Sequence, residues 1–303
     1  MEGVEQRKQQ SLASSPVHVD VAGMPMVVYE NDRGQCGYAT RLWDCSVGLA
    51  RWMAESLLLD EQRSAAACTN ASAGTEGNAA SHGGPELGKN ALMGWRVLEV
   101  GAGTGLCSLA LLAASPHAES ITASDIDPNA LPLIEAAAEL LYASERLCEI
   151  FRTGRGRKLK ALIVDVCSDE PLPECDLLIC CDSCYTIDLA TALARRCAET
   201  LERSQTAKVL IADPGRPHRE TLLRALSELG IQAKFEDLSG LEETDGEHGD
   251  GGAAAAAAAT GARQSSVVPF AEWLRGGAAV RVRLLSIEDD ARLFGVSCMP
   301  AMY

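Results

Sequence analysis

Two short apolar runs, residues 97–100 and 121–123, flank a glycine-rich turn and a helical pattern. Leucine and alanine recur at helical spacing within residues 106–113, after three glycines at alternate positions. An aspartate, Asp125, follows the second run. This order of strand, glycine turn, helix, strand and acid predicts the first half of an α/β unit, around which the rest of the chain is arranged.

Further apolar runs predict the remaining strands of the same sheet. They cover residues 161–165, 176–182, 208–213, 231–237 and 278–287, and helical patterns at residues 130–141, 189–201 and 218–230 separate several of them. Continuous apolar runs suit strands that are buried on both faces of a parallel sheet. The predicted fold class is α/β: a Rossmann-like, seven-stranded, mostly parallel sheet with helices on both faces. We expect the final two strands to form an antiparallel hairpin at the sheet edge.

The segment before this core predicts a short β extension and a helix. Apolar residues tend to alternate within residues 17–38, with turn residues between them, and a helical pattern follows Trp43. Two stretches rich in small residues interrupt the chain. The predicted division is a flexible N-terminus (1–16), N-terminal strands and helix (17–60), a low-complexity loop (61–90), and a core (91–303) with a low-complexity insertion at 242–263.

The charge balance limits the classes of partner. The net charge is −15, so the chain lacks the basic surface that a general nucleic-acid binder shows, and a locally cationic protein partner is favoured. No apolar run reaches the length of a membrane span, and the N-terminus lacks a secretory apolar segment. We expect a monomeric cytoplasmic protein that binds neither nucleic acid nor membrane; a nuclear or mitochondrial location stays open.

The twelve cysteines do not indicate disulfides or a metal site. Several of them lie in or beside the apolar runs, as buried reduced thiols do. Cys181 and Cys184 form a single C-x-x-C, and no second pair stands at zinc-finger spacing. We therefore expect no metal.

The glycine spacing indicates the class of ligand. Glu99, Gly101, Gly103 and Gly105 form the pattern E-x-G-x-G-x-G, and Leu106 stands where a dinucleotide-binding turn would have its third glycine. Glycines let the backbone turn tightly and approach a ligand, and the following helix offers unpaired N–H groups. A nicotinamide dinucleotide is therefore disfavoured.

This pattern resembles motif I of the seven-strand, class I methyltransferases, and further residues narrow the resemblance. Leu42-Trp43-Asp44 before a helix, Ser124-Asp125 after the second strand, and an acid, two residues and an aromatic at Asp182 and Tyr185 are similar to methyltransferase family 16, a protein-lysine methyltransferase branch. The resemblance covers residues 17–60 and 91–287. It implies S-adenosylmethionine as the cofactor and a lysine-bearing protein as the substrate.

Residues 213–217, Asp-Pro-Gly-Arg-Pro, resemble members of this branch that methylate the β-subunit of electron-transfer flavoprotein. Those members carry a Trp-Pro pair where this chain has Trp43-Asp44, so the target does not transfer. Arg216 in this run is interpreted either as a loop salt bridge or as a substrate contact.

The resemblance also implies roles for individual residues in binding the cofactor. Gly101 and Gly103, with Glu99 before them, lie by its methionine part. Asp125 holds the ribose, and Asp127 is the alternative.

The resemblance places the adenine of the cofactor at the end of the third strand of the core. Asp165 meets its amino group and Val166 lies beside its ring, while Trp43 is either a cofactor neighbour or a core aromatic.

Asp182 and Tyr185 are the predicted catalytic residues, since ligands of open α/β sheets bind at the carboxyl ends of the strands. The competing interpretation of Asp182 is a helix N-cap. The predicted function is methyl transfer to a protein lysine. The alternatives are transfer to a protein arginine or to a small-molecule amine, and a non-catalytic cofactor-binding module.

Overall fold

The computed structural model describes residues 14–31, 38–72, 91–148 except 146, 158–238, 267–276 and 282–287. The strands are β1 (Ser14–Val21), β2 (Met24–Asn31), β3 (Arg96–Val100), β4 (Ser120–Asp125), β5 (Leu159–Ile163), β6 (Leu177–Cys181), β7 (Lys208–Asp213), β8 (Phe235–Asp237) and β9 (Val282–Ser286). The helices are α1 (Asp44–Ser72), α2 (Leu106–Ala114), α3 (Ala130–Ala143), α4 (Ile187–Arg203), α5 (Arg219–Glu228) and α6 (Phe270–Arg275), and one turn of 3-10 helix covers Tyr38–Thr40.

The main sheet has the order β5-β4-β3-β6-β7-β9-β8. The chain runs outward from β3 through β4 to β5 and then returns to place β6 on the other side of β3. The crevice at such a reversal of strand order, beyond the carboxyl ends of the strands, is where open α/β sheets bind their ligands. The predicted seven-stranded, mostly parallel sheet is confirmed.

The direction of the last two strands differs from the prediction. β9 pairs in parallel with both β7 and β8, so the expected antiparallel edge hairpin is wrong. Antiparallel neighbours need only a tight turn, whereas parallel neighbours need a long crossover that usually contains a helix. The connection between Asp237 and Val282 is long and contains α6. Periodicity cannot show this, because an apolar run looks the same in either direction.

Helices cover both faces of the sheet, as predicted. Alternate residues of the central strands belong to two separate buried clusters. Val97 and Ile179 pack on one face with α1, α2 and α3, while Leu98 and Leu178 pack on the other with α4 and α5. This two-sided burial explains why the strands are continuously apolar.

The N-terminal extension is an antiparallel hairpin of β1 and β2, turned at Ala22 and Gly23, both with positive φ. Positive φ at both central residues is the geometry of the tight hairpin turns that match strand twist. The predicted strands are therefore present. β1 already begins at Ser14, so the expected flexible N-terminus of 1–16 ends earlier than predicted, and residues 1–13 lie outside the described residues.

The first helix is longer than its predicted segment. α1 continues to Ser72, so the loop interpretation of residues 61–72 is wrong. That stretch contains alanine, glutamate, glutamine and arginine, which propagate a helix well despite their low complexity. The rest of the predicted loop, 73–90, and the insertion at 242–263 lie outside the described residues, and the proposed division of the chain stays a prediction.

None of the helices in the described part of the chain is long and apolar enough to span a membrane. Among the same residues, no three histidine, cysteine or acidic side chains are grouped as metal ligands would be.

Candidate functional site

Except for Trp43, which precedes α1, the predicted site residues lie at or just after the carboxyl ends of β3, β4, β5 and β6, along the edge where the strand order reverses. The turn after β3 is left-handed at three glycines: φ is 66° at Gly101, 56° at Gly103 and 79° at Gly105. An added Cβ at Gly103 would lie 3.3 Å from the carbonyl oxygen of Ala39. The turn therefore requires glycine for its conformation, and at Gly103 also for the close approach of the segment before α1.

A cavity opens beside this turn. It is lined by Arg41, Trp43, Ser46, Glu99, Gly101, Ala102, Gly103, Thr104, Cys181 and Asp182. Five of the predicted site residues are among them, and they come from three separate parts of the chain. The cavity contains two carboxylates and a guanidinium.

Glu99 is almost completely buried at the base of the cavity. Its Oε2 accepts hydrogen bonds from the backbone N–H of Ser108 at 2.9 Å and from the Ser108 hydroxyl at 2.5 Å. Burial raises the pKa of the Glu99 carboxyl to about 7, and the two bonds from Ser108 oppose that rise. Glu99 is thus a carboxylate held in a poorly solvated position, where a cation would stabilise its charge.

This raised pKa predicts an unusual pH dependence of stability for the protein without ligand. The pKa of Glu99 rises from 4.5 in the unfolded chain to about 7 in the fold, so the folded state binds more protons between these values. Its contribution to stability is therefore lost as the pH rises from 4.5 to 7. We expect Glu99→Gln to remove this loss, on the order of 3 kcal/mol at pH 8.

Urea unfolding of both proteins between pH 5 and 8 measures the effect, with the exposed Glu135→Gln as the control. Parallel stability curves for the wild type and Glu99→Gln would show that Glu99 is ordinarily solvated.

Asp125 is 4% exposed and is bonded to the glycine turn. Its Oδ2 accepts from the N–H of Gly103 at 2.9 Å and its Oδ1 from the N–H of Asp127 at 2.9 Å. A carboxylate has about four lone-pair positions, so two remain for a ligand. Asp127 instead accepts from the backbone and side-chain nitrogens of Asn129. Asp125 is therefore the acid that contacts the turn itself.

Asp165 and Val166 follow β5 at the same edge. Asp165 Oδ1 accepts from the N–H of Cys167 at 2.8 Å, and the carbonyl of Asp125 accepts from Val164 at 3.1 Å. Val166 is buried in the core cluster on the α4 and α5 face, and its carbonyl accepts from Arg196. The two residues lie next to the site but do not line the cavity.

Asp182 occupies a sparsely populated backbone conformation, with φ of 54°. Its carboxylate is forked by Arg216, with Nε–Oδ1 at 2.5 Å and Nη2–Oδ2 at 2.7 Å. The N-cap of α4 is Thr186, whose side chain accepts from the N–H of Leu189. Asp182 is therefore not the N-cap of α4, and its role at the site stays a prediction.

Tyr185 is 56% exposed and lies four residues after the end of β6. Partial burial raises the pKa of its hydroxyl, and the negative charges of Asp125 and Asp182 add to the rise. Tyr185 therefore stays protonated at neutral pH, and it lies close enough to Asp125 and Asp182 for their charges to act on its hydroxyl.

Trp43 lines the cavity, so it is not solely a core aromatic. Its indole N–H donates to the carbonyl of Tyr38 at 3.1 Å, and the two rings pack with centroids 6.0 Å apart. The Arg216 guanidinium lies 5.6 Å from the centre of the Trp43 ring, within range of a cation–π interaction.

Three buried thiols lie beneath the cavity. The sulfurs of Cys45 and Cys181 are 3.4 Å apart, and the Cys107 thiol donates to the carbonyl of Ser46. Hydrogen bonds with Cys107 and Cys45, together with burial, hold the pKa of the Cys181 thiol well above its ordinary range. The Cys181 thiol therefore stays protonated and inert, and the three side chains pack against one another and the surrounding core.

Sequence reasoning missed several residues of the site. Ser108, which holds Glu99, carried no motif, although a serine nine residues after the acid stands in the first turn of α2. Arg41 and Ser46 also line the cavity, and their only sequence signal was their nearness to the predicted Trp43, to whose carbonyl the Ser46 hydroxyl donates.

The donor set fits a ligand that carries both signs of charge. Glu99 suits a cationic group and Arg41 suits a carboxylate, while the glycines give the backbone close access. S-adenosylmethionine, with an amino-acid end and a cationic sulfonium, has these features, and Asp125 has lone pairs for ribose hydroxyls.

Comparisons with known proteins agree with this chemistry. A family model described as lysine methyltransferase matches residues 24–222. No curated protein that was compared matches the chain significantly.

Solved structures give distant matches. The [4+2]-cyclase SpnF is 19% identical, with 46% of this chain matched to 51% of that chain and a TM-score of 0.34. The N-methyltransferase NodS from Bradyrhizobium japonicum WM9, in complex with S-adenosyl-L-homocysteine, is 18% identical (45% and 65% covered, TM-score 0.31). Magnesium protoporphyrin IX methyltransferase from Synechocystis PCC 6803, with the same ligand, is 13% identical (67% and 81%, TM-score 0.32). The match spans about half of the first of these chains.

Proposed function

The chain belongs to the lysine methyltransferase family, whose methyl donor is S-adenosylmethionine, and we propose that it methylates a lysine side chain of a protein substrate. The observation that carries this proposal is the position of Asp182. It lines the same cavity as the glycine turn, in a left-handed conformation that only a few residue types adopt. Tyr185, three residues later, stands half-exposed beside the mouth.

The cofactor contacts are proposed from the same geometry. Glu99, Gly101 and Gly103 hold the amino-acid end of the cofactor, and Trp43 packs beside it. Asp125 accepts from the ribose.

Asp165 and Val166 lie toward the adenine. Val166 lies beside the adenine ring, and its packing in the protein core holds it in place.

The reaction needs little covalent chemistry from the protein. When bound, S-adenosylmethionine supplies a methyl group on a positively charged sulfonium, which is a good leaving group. The residues of the site must place a neutral lysine amine in line with it and exclude competing nucleophiles. Asp182 accepts a hydrogen bond from the amine, and the Tyr185 hydroxyl, protonated at neutral pH, orients it from the mouth.

The acidic chain favours a substrate whose methylated lysine lies in a cationic surface. Incubating the purified protein with labelled S-adenosylmethionine and a cell extract tests the proposal. Mass spectrometry of the labelled material should find methyllysine in a protein, and a reaction with Asp182→Asn serves as the control. Label found on arginine, or on small amines alone, would refute the lysine assignment while leaving methyl transfer standing.

The proposed role of Asp125 gives a prediction about cofactor binding. Asp125→Asn keeps an acceptor for the N–H of Gly103 but loses the charge of the carboxylate. We expect it to weaken binding of S-adenosylhomocysteine by about 1–3 kcal/mol, the value of charge-assisted hydrogen bonds. Asp127→Asn is the matched control, because it changes a neighbouring acid whose carboxylate accepts from Asn129 and not from the glycine turn. Isothermal titration calorimetry decides between them, and equal losses in both variants would contradict the assignment.

A further inference from the structure

Arg216 is fixed by its own loop before its side chain reaches the site. Asp213 ends β7, and its Oδ1 accepts from the N–H groups of Gly215 at 2.8 Å and Arg216 at 2.7 Å. Gly215 has φ of 107°, which lets the chain turn back at this point. Arg219 also bonds to Asp213 Oδ1, at 2.6 Å, and thereby holds that carboxylate in place. The start of the Arg216 side chain is thus set by the end of a buried strand.

The guanidinium then bridges two walls of the cavity. It forks both oxygens of Asp182 and lies over the ring of Trp43, two residues that line the cavity from different parts of the chain. The Asp182 side chain is 8% exposed and that of Arg216 is 30% exposed. The carboxylate is buried and the guanidinium is partly exposed. Two parallel hydrogen bonds fix the orientation of the two groups relative to each other.

The pair changes what Asp182 can do to an amine. An unpaired carboxylate stabilises a nearby ammonium and raises its pKa, which would keep a lysine protonated and unable to attack. A carboxylate whose charge is balanced by a forked guanidinium keeps lone pairs for a hydrogen bond, but adds little net negative potential. The paired Asp182 can therefore orient an amine without holding its proton.

We infer that Arg216 is a positioning residue that aims the Asp182 carboxylate and keeps the methyl-acceptor subsite close to neutral, so that the incoming amine loses its proton readily. This inference rests on the proposed transfer to an amine. Of the two interpretations of Arg216 left open by the sequence, the structure has the salt bridge, with Asp182, and the inference gives that salt bridge a role at the acceptor subsite.

The role inferred for Arg216 can be tested with two ligands that bind without an acceptor protein. S-adenosylhomocysteine lacks the transferred methyl group, and sinefungin carries a protonated primary amine in its place. Calorimetry at pH 7 gives the ratio of their dissociation constants, so that any general change in cofactor binding cancels. We expect Arg216→Gln to favour sinefungin by about tenfold in this ratio, because the exposed charge of Asp182 attracts the ammonium. Arg216→Lys should restore most of the wild-type ratio, and Asp182→Asn should shift it the opposite way.

The outcomes keep this inference apart from the proposed function. An unchanged ratio in Arg216→Gln, with a melting temperature that shows a folded protein, would overturn the inference whatever acceptor is found. A shifted ratio with no methyllysine in labelled extracts would refute lysine transfer and leave the role of Arg216 standing. A wild-type protein that binds neither ligand would overturn both.

Discussion

Asp182→Asn is expected to lower methyl transfer by about a hundredfold or more while the protein stays folded. Asparagine keeps nearly the same size and can still adopt the left-handed backbone that this position requires. What it loses is the second anionic oxygen, so Arg216 is no longer forked and the amine meets an amide instead of an aimed carboxylate. Single-turnover rates on the substrate found by labelling measure the loss.

Thr186→Ala is the matched control for this prediction. Thr186 is the N-cap of α4, four residues after Asp182, and accepts from the N–H of Leu189. Its loss should cost about 0.5–2 kcal/mol of stability without a comparable loss of transfer. Asp182→Asn should instead lose methyl transfer without a comparable loss of stability. The reason is that the Arg216 guanidinium still lies over the Trp43 ring and is partly exposed to water. If Asp182→Asn turned over normally, the catalytic assignment would be wrong.

Much of the fold could be predicted because the residue types of a strand show whether both of its faces are buried. Most residues of β3, β6 and β7 are apolar, and packing on both faces of the sheet favours this pattern. The direction of β9 could not be predicted, since direction depends on where a long connection returns and not on the strand's own residues. The end of α1 was missed for a related reason: small and polar residues propagate an existing helix as readily as they form a loop.

The site was predictable only where one backbone geometry needs particular residues. The spacing of the glycines after β3 indicated a tight turn, which the structure has as a left-handed one. Asp125 and Asp182 were found because they end or follow strands whose carboxyl ends meet at one edge of the sheet. Side-chain contacts between different secondary-structure elements and loops left no signal in the local sequence. The fork of Arg216 on Asp182 joins residues 34 positions apart, and Ser108 reaches Glu99 only because α2 folds back over β3.

Gly105→Ala is expected to be among the most destabilising single substitutions in the glycine turn. Gly105 has φ of 79°, and an added Cβ would lie 2.9 Å from Ile134 Cγ1 and 3.1 Å from Cγ2. Ile134 is fully buried in α3, and its branched side chain has little freedom to move away. Left-handed strain costs about 1–2 kcal/mol and overpacking about 1–3 kcal/mol more, so we expect a total of about 2–5 kcal/mol.

Gly94→Ala separates the two causes, because Gly94 has nearly the same φ, 77°, with nothing within 4 Å of an added Cβ. It should lose only the strain, about 1–2 kcal/mol. Urea unfolding of both variants gives the difference, and a double-mutant cycle of Gly105→Ala with Ile134→Ala should show that the two losses are less than additive, because alanine at 134 removes both clashing carbons. Equal losses at Gly94 and Gly105 would mean that Ile134 yields to the extra methyl group, and that the packing of α3 against the turn is looser than the short contacts indicate.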